Sequence, residues 1–190
     1  MKRQSDGYRG YEDLACACEE GRDYRVICLE RPGSCVAIVG PHGGGIERGT
    51  SGVARAIAGD EFHLYLLEGI RTSGNYAALH LTSTRFDEPR CLQLLSMADK
   101  VVTIHGCVGE APEVHIGGLD SDLKLRIRDE LARNQVSAAI AEGRFAARDR
   151  RNICNRGRRG IGVQLELSRG LRLWGITEEV VRAVRAALLG

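Results

Sequence analysis

The sequence predicts an α/β fold, in which a mixed, mostly parallel twisted sheet is covered by helices on both faces. Residues 35–39 (C-V-A-I-V) and 100–104 (K-V-V-T-I) are largely apolar without alternation, which is typical of strands buried on both faces. Helical patterns separate many of the predicted strands, which favours a sheet covered on both sides. The 190 residues, 43% of them hydrophobic, suit one domain over 1–190 with a substantial core.

Each strand is predicted from an apolar or alternating run bounded by turn residues. The predicted strands are Tyr24–Leu29, then 35–39, 62–67, 77–81, 100–104, 113–116 and 161–167. Each helix is predicted from apolar residues on one face, with a capping residue or a glycine at its ends. The predicted helices are 8–21, a short one after Thr50 or Ser51, one capped by Asp87, one over 120–134 capped by Asp120, and Thr177–Leu189.

Composition limits the class of protein. The sequence has no apolar run of 18 residues, and its first residues, M-K-R-Q-S-D-G, lack the apolar core of a signal peptide. We therefore expect a cytoplasmic protein that does not enter a membrane and that cell lysis can release. Seven cysteines without paired spacing favour reduced thiols over a disulfide framework or a cysteine zinc site.

Positive charge is concentrated between residues 144 and 172, although the whole chain carries a formal charge of +2. This segment contains nine arginines against Asp149 and Glu166, a net charge of +7. Arginine binds carboxylates and phosphates through paired hydrogen bonds, so an anionic ligand is expected nearby. A nucleic-acid-binding module is a weaker alternative, because aromatic residues for base stacking are scarce.

The run H-G-G-G-I-E, which begins at His42, follows the strand predicted over 35–39. Three glycines let the backbone bend sharply enough for His42 and Glu47 to reach one point. The second buried strand, 100–104, also leads directly into a histidine, His105. If the two strands are parallel neighbours, both imidazoles lie at the same edge of the sheet. His42, Glu47 and His105 therefore form a candidate catalytic zinc site with two histidines and one carboxylate.

Glu166 is the candidate general base of such a site. It lies in the apolar strand V-Q-L-E-L, where a charged carboxylate is costly unless it has a role. Zinc lowers the pKa of a bound water toward ~7 and polarises the carbonyl under attack. A second carboxylate is then needed to accept the proton of the water and pass it on.

A rival catalytic interpretation starts from the same glycines, because H-G-G-G builds an oxyanion hole in lipases and esterases. It requires a nucleophile elbow, G-x-S-x-G, which the sequence lacks. The nearest analogue, H-G-C-V-G, offers Cys107 as the nucleophile but leaves both glutamates without roles. The remaining histidines are interpreted as structural: His63 and His80 as core or edge residues, and His115 as a structural residue near the site.

Several long motifs, in order along nearly the whole chain, resemble the poly-γ-glutamate hydrolase family of phages and bacteria, whose members are similar to zinc carboxypeptidases in fold. The motifs are G-R-D-Y-R (21–25), P-H-G-G-G-I-E-R-G-T-S (41–51), L-H-L-T-S-T-R-F-D-E-P (79–89), V-T-I-H-G-C (102–107), V-H-I-G-G-L-D (114–120), N-I-C-N-R-G (152–157) and G-V-Q-L-E-L-S-R-G-L-R (162–172). The resemblance implies a zinc-carboxypeptidase-like three-layer sandwich, zinc on His42, Glu47 and His105, and Glu166 as the catalytic glutamate. It also implies hydrolysis of γ-glutamyl amide bonds of poly-γ-glutamate by a zinc-activated water.

Two features depart from the wider carboxypeptidase pattern. The first ligand pair is spaced H-x-x-x-x-E rather than H-x-x-E, so the glycine turn must deliver Glu47 differently. The Asn-Arg pair that holds the substrate carboxylate in carboxypeptidases has no match at the same place in the chain. The candidates for this role are Arg85, which chain order favours, and Asn155 with Arg156.

The expected partner is therefore an anionic γ-glutamyl substrate, bound by a monomer. The ligands of a zinc site do not by themselves choose the substrate. A zinc amidohydrolase or carboxypeptidase that acts on another small acyl-amino acid or peptide is the alternative with the same chemistry.

Overall fold

The computed structural model describes residues 7–174 and 177–190, and residues 1–6, part of the run used to judge a signal peptide, lie outside them. The helices are α1 Tyr11–Ala17, α2 Thr50–Ala58, α3 Asn75–Leu79, α4 Pro89–Leu95, α5 Ser121–Arg133, α6 Arg169–Trp174 and α7 Thr177–Leu189. The strands are β1 Tyr24–Leu29, β2 Val36–Gly44, β3 His63–Gly69, β4 Lys100–Gly106, β5 Glu113–Gly118, β6 Ser137–Ile140 and β7 Val163–Leu167. None of these helices combines the length and the apolarity needed to cross a membrane.

In the described part of the chain, seven strands form one sheet in the order β1-β3-β2-β4-β7-β5-β6. The central strands β3, β2, β4 and β7 run parallel to one another. Strand β1 is antiparallel to β3 at one edge, while β5 is antiparallel to β7 and parallel to β6 at the other. The predicted mixed, mostly parallel sheet is confirmed.

The two faces of the sheet bury separate hydrophobic clusters. On one face, residues of α2, α5 and α7, such as Ile57 and Ile127, pack against alternate strand residues such as Ile38. On the other face, residues of α1 and α4, such as Leu14, pack against the intervening strand residues, such as Val39. Strand side chains alternate between faces, so both faces need an apolar cover. The predicted three layers are present.

The segment 77–81, predicted to be a strand, contributes instead to helix α3. Gly74 precedes this helix in the left-handed region, with φ at +70°. The side chain of Asn75 accepts from the N–H of Arg71 and donates to its carbonyl, which fixes the start of the helix. Leu79 and Leu81 are both buried. Two buried apolar residues separated by one position are also typical of a strand, which explains why the prediction of a strand is wrong.

Two predicted helix caps are wrong, and a third is confirmed. Asp87 accepts a hydrogen bond from the N–H of Tyr11, and the carboxylate of Glu88 caps α4. Helix α2 follows Gly49, whose φ is +94°, and has no side-chain cap. Asp120 caps α5 through its side chain, as predicted.

Among the strands and α-helices given above, β6 and α6 were not predicted from the sequence. Strand β6 pairs with β5 at the edge of the sheet, and most of its residues are exposed, so they carry no apolar pattern. Helix α6 directly follows β7 and is only six residues long, which is too short for a recognisable helical period.

Candidate functional site

His42 and His105 meet at the carboxyl-terminal edge of the parallel strands. Strands β2 and β4 are parallel neighbours, with Val39 paired to Thr103. The Nδ1 atoms of the two histidines lie 3.2 Å apart, and both side chains are buried. The two imidazoles therefore converge as the parallel arrangement of their strands predicts.

The glycine run after His42 brings Glu47 back to the same point. Gly44 has a φ of +61°, and a side chain on it would meet the backbone oxygen of Gly69 on β3 at 2.4 Å. The N–H of Glu47 donates to the carbonyl of His42 at 2.9 Å, which closes the turn. Only residues without a side chain allow this close approach. The turn explains how the long H-x-x-x-x-E spacing still brings the two side chains together.

The carboxylate of Glu47 faces both histidines. Its Oε1 lies 3.4 Å from His42 Nδ1, and its Oε2 lies 3.8 Å from His105 Nδ1. Oε2 also accepts a hydrogen bond of 2.7 Å from the N–H of Gly106. Burial opposes ionisation, but the two histidines and this N–H outweigh it and lower the pKa of Glu47 to about 2. The carboxylate is therefore ionised at neutral pH.

The outer nitrogen of His42 is held by the backbone, at 2.8 Å from the carbonyl oxygen of Leu81. Because a carbonyl only accepts, Nε2 carries a proton, and Nδ1 is the nitrogen that faces the cluster. Burial lowers the pKa of His42, but the charge of Glu47 and its hydrogen bond outweigh burial and raise this pKa above its usual value. Burial, and then the charge of His42, lower the pKa of His105 to about 3, so the His105 imidazole is neutral at pH 7. Both histidines are thus oriented as metal donors.

His80 is a further donor at the cluster, which the sequence interpretation assigned to the core or an edge. Its ring lies 4.2 Å from the ring of His42, and its Nε2 lies 3.9 Å from Glu47 Oε1. Donor atoms of His42, Glu47 and His80 lie within 4.8 Å of one another. In the sequence, His80 stands in L-H-L without a glycine turn, so no pattern distinguished it from a structural histidine.

Glu166 lies beside this cluster, opposite His105 in the pairing of β7 with β4. Its side chain is buried among the groups of the site. Burial, and then the charge of Glu47, raise the pKa of Glu166 to about 7. A carboxyl group that titrates near neutrality suits the role of accepting and returning a proton.

These side chains line a cavity of about 620 Å³. Four arginines stand on its wall together with the two glutamates: Arg48, Arg144, Arg169 and Arg172. Three of the four belong to the arginine-rich segment 144–172, for which the sequence predicts an anionic ligand. The cavity therefore combines a cluster of metal-type donors with positive charge.

Two of these arginines are held by defined contacts. The guanidinium of Arg144 lies 4.4 Å above the ring of Phe145, which in turn stacks on His115. Arg172 donates to the carbonyl oxygens of Leu167 and Cys107, each at 3.0 Å, and to that of Arg48. Arg172 thus joins three segments of the cavity wall, while Arg144 remains exposed at the cavity.

The substrate clamp predicted from the sequence is not brought to this cavity. None of its three residues, Arg85, Asn155 and Arg156, is among the described residues of the wall. Arg85 is exposed and donates to the backbone oxygen of Tyr8 at 3.2 Å, and Arg156 is exposed as well.

The side chain of Asn155, the other candidate for a substrate contact, makes its hydrogen bonds to backbone groups. Its amide oxygen accepts from the N–H groups of Leu119 and Gly162, and its amide nitrogen donates to the carbonyls of Ala147 and Asp149. With the side chain buried, all four bonds serve to hold the backbone. Asn155 therefore has a structural role.

Much of the arginine-rich segment is neutralised by ion pairs. Its paired arginines include Arg151 with Asp149, Arg158 with Asp99, Arg159 with Asp120, and Arg169 with Glu110. Such pairing leaves a surface of mixed charge rather than a continuous basic patch. This arrangement does not favour the nucleic-acid-binding alternative, which depends on many phosphate contacts.

Cys107, the nucleophile of the rival interpretation, lies on the cavity wall but is buried. Burial, and then the charge of Glu166, raise the pKa of the Cys107 thiol to about 11. The thiol therefore stays protonated at neutral pH, and the thiolate is the nucleophilic form. We expect Cys107→Ala to retain hydrolytic activity close to that of the unmodified protein, measured as kcat/KM. Loss of all activity in a folded variant would support the cysteine mechanism instead.

Comparison with known proteins agrees with the resemblance read from the motifs. A family model described as poly-gamma-glutamate hydrolase matches residues 8–183. The UPF0714 protein YndL of Bacillus subtilis (strain 168) is 37% identical over 183 residues, which cover 94% of this chain and 71% of YndL. The solved structure of a bacteriophage poly-gamma-glutamate hydrolase is 32% identical and superposes with a TM-score of 0.91, covering 97% of each chain.

A zinc-free apo structure of YndL superposes with a TM-score of 0.88 at 32% identity, covering 97% of this chain and 98% of that one. Together with the bacteriophage enzyme, it confirms the predicted fold class over almost the whole chain. The match to the family model also spans far more than half of the residues. The chain therefore belongs to the poly-gamma-glutamate hydrolase family of enzymes.

Proposed function

We propose that this chain is a zinc-dependent hydrolase of the γ-glutamyl amide bonds of poly-γ-glutamate. His42, Glu47 and His105 would hold the zinc, and Glu166 would act as the general base. The observation that carries the proposal is the convergence of three donors, 3.2–3.8 Å apart, beside a buried glutamate.

The donor set fits zinc in kind and in spacing. Donors about 2.0–2.1 Å from a tetrahedral zinc lie roughly 3.3–3.4 Å apart, close to the distances from His42 Nδ1 to His105 and Glu47. Two imidazoles, each neutral once it binds the metal, and one carboxylate leave a fourth position for water or substrate. His80 fits less well as a ligand, because its Nε2 lies 3.9 Å from Glu47 Oε1, whereas His105 Nδ1 lies only 3.2 Å from His42 Nδ1.

When bound, zinc would supply a water of lowered pKa and would polarise the carbonyl of the scissile bond. Glu166 stands on the neighbouring strand, opposite His105, on the wall of the same cavity. From there its carboxylate can take the proton of the attacking water and deliver it to the leaving amine.

The charge of the cavity wall supports an anionic substrate. Every residue of poly-γ-glutamate carries a free α-carboxylate beside an amide bond. Arginine binds carboxylates through two parallel hydrogen bonds, and Arg48 and Arg144 are exposed at the cavity. The family of the chain and its similarity to a bacteriophage poly-gamma-glutamate hydrolase support the same substrate.

A side-by-side assay with zinc-loaded protein tests this proposal. We expect the protein to shorten poly-γ-glutamate and a strong chelator to abolish this activity. Ordinary α-linked peptides with apolar C-termini should remain largely intact. A preference for such peptides would indicate a general carboxypeptidase. Inactivity on both substrates with zinc present would point to another small acyl-amino acid.

Two arginine variants test which residue binds the substrate carboxylates. Arg144→Ala should raise KM for poly-γ-glutamate about tenfold, the scale of one lost charged hydrogen-bond contact, and should weaken the salt dependence of kcat/KM. Arg85→Ala serves as the comparison, because its guanidinium contacts Tyr8 outside the cavity. A larger effect at Arg85 than at Arg144 would return the clamp to the residue predicted from chain order.

A further inference from the structure

A chain of buried side-chain amides leads from the segment before β7 to Glu166. Gln164 and Asn152 are both buried, with exposed fractions of 4% and 5%. The Nδ2 of Asn152 donates to Gln164 Oε1 at 3.0 Å, and Gln164 Nε2 donates to Glu166 Oε1 at 3.0 Å. Neither amide takes part in the chemistry proposed above, yet both lie within two hydrogen bonds of its base.

The direction of this chain is set by the backbone. Asn152 Oδ1 accepts a hydrogen bond of 3.1 Å from the N–H of Cys154. A backbone N–H can only donate, so it fixes which end of the Asn152 amide is the oxygen. The NH₂ group of Asn152 then faces Gln164, and the NH₂ group of Gln164 faces Glu166 in turn. The N–H of Cys154 therefore sets the orientation of both amides, those of Asn152 and Gln164.

We infer that Asn152 and Gln164 are positioning residues that hold Glu166 with Oε1 as a permanent acceptor and leave Oε2 to receive the proton. Side chains two residues apart on a strand lie on the same face, so the amide of Gln164 can reach the carboxylate of Glu166. A carboxylate fixed by a donor loses one of its rotations before the substrate arrives. Such preorganisation of a reacting group contributes directly to the rate.

The inference also assigns a role to the 152–160 loop that does not require contact with substrate. Asn152 starts the short 3₁₀ turn Ile153–Asn155 and lies on the cavity wall. The turn thus supplies the N–H of Cys154, which orients Asn152 at the start of the hydrogen-bond chain to Glu166.

This inference rests on the proposed role of Glu166, and the variants separate the two. Asn152→Ser keeps an oxygen that can accept from the turn, but it is too short to reach Gln164. Gln164→Met keeps the approximate shape of the side chain and removes the donor. We expect each variant to lower kcat on poly-γ-glutamate about 10- to 100-fold, with KM and zinc content unchanged. The kcat of the double variant should be no lower than that of the less active single variant, because both residues belong to one hydrogen-bond chain.

Asn155→Ser is the matched control, since it makes the same change three residues later in the same turn. It removes contacts to backbone groups only, so it should lower Tm without lowering kcat. An equal loss of kcat in Asn155→Ser and Asn152→Ser would show that kcat depends on the packing of the turn and not on the hydrogen-bond chain to Glu166. Unchanged kcat in Asn152→Ser would overturn the inference. Full activity in Glu166→Gln would instead show that Glu166 is not the base.

Discussion

Replacing Glu166 with glutamine is expected to lower kcat on poly-γ-glutamate by ~100-fold or more, the usual scale for removing a positioned base. The glutamine has the same shape and can still accept a hydrogen bond from Gln164 through its amide oxygen. We therefore expect the fold and the zinc content to remain as in the unmodified protein. Initial rates with zinc-loaded protein, together with Tm and elemental analysis, measure these three quantities.

Glu113→Gln is a suitable control for the Glu166 variant. Glu113 begins β5 at the same end of the sheet and pairs with His115 at 3.4 Å, but it is not among the described residues of the cavity wall. Loss of this carboxylate should leave kcat within a few-fold of the unmodified value. If Glu166→Gln hydrolyses the polymer at a comparable rate, another group accepts the proton.

Replacing His105 with alanine is expected to abolish zinc binding and, with it, hydrolysis. The Nδ1 of His105 lies 3.2 Å from that of His42, so its loss removes one of the two imidazoles that meet nitrogen to nitrogen. His80→Ala should retain zinc, because the three proposed ligands remain and His80 Nε2 lies farther off, at 3.9 Å from Glu47 Oε1. The measurements are zinc per chain after dialysis and the change of Tm on adding zinc.

The shift of Tm gives a readout independent of activity. A ligand that binds only the folded state at 100 times its Kd adds about 2.7 kcal/mol to the free energy of unfolding. For a chain of this size we expect zinc to raise Tm of the unmodified protein and of His80→Ala by several degrees, and to leave His105→Ala unchanged. The opposite pattern would move the metal site to His42, Glu47 and His80.

Part of the candidate site could be predicted from the sequence, because local apolar patterns indicate which strands are buried. The apolar runs before His42 and His105 predict strands buried on both faces, and such strands in an alternating α/β chain pair in parallel. Parallel pairing then places both histidines at one edge, as the 3.2 Å distance between them reflects. Glu166 was found by the same logic, as a charge in an apolar strand.

Other features depended on contacts between residues far apart in the sequence. His80 reaches the cluster by packing on His42, 38 positions earlier, and its own neighbours in the sequence resemble those of an edge strand. The segment 77–81 was misread because burial of Leu79 and Leu81 imitates the alternation of a strand. Short elements such as β6 carry too few buried residues to show a period.

By itself, the sequence determined the parallel core, the histidine pair, the glycine turn to Glu47 and the family of the chain, because each is encoded in neighbouring residues. Only the tertiary structure decided which arginines line the cavity, that Asn155 holds a loop, and that Asn152 and Gln164 lead to Glu166. Arginine side chains are long, and amide groups bond equally well to backbone or side chain. Their partners are therefore chosen by the packing of distant segments.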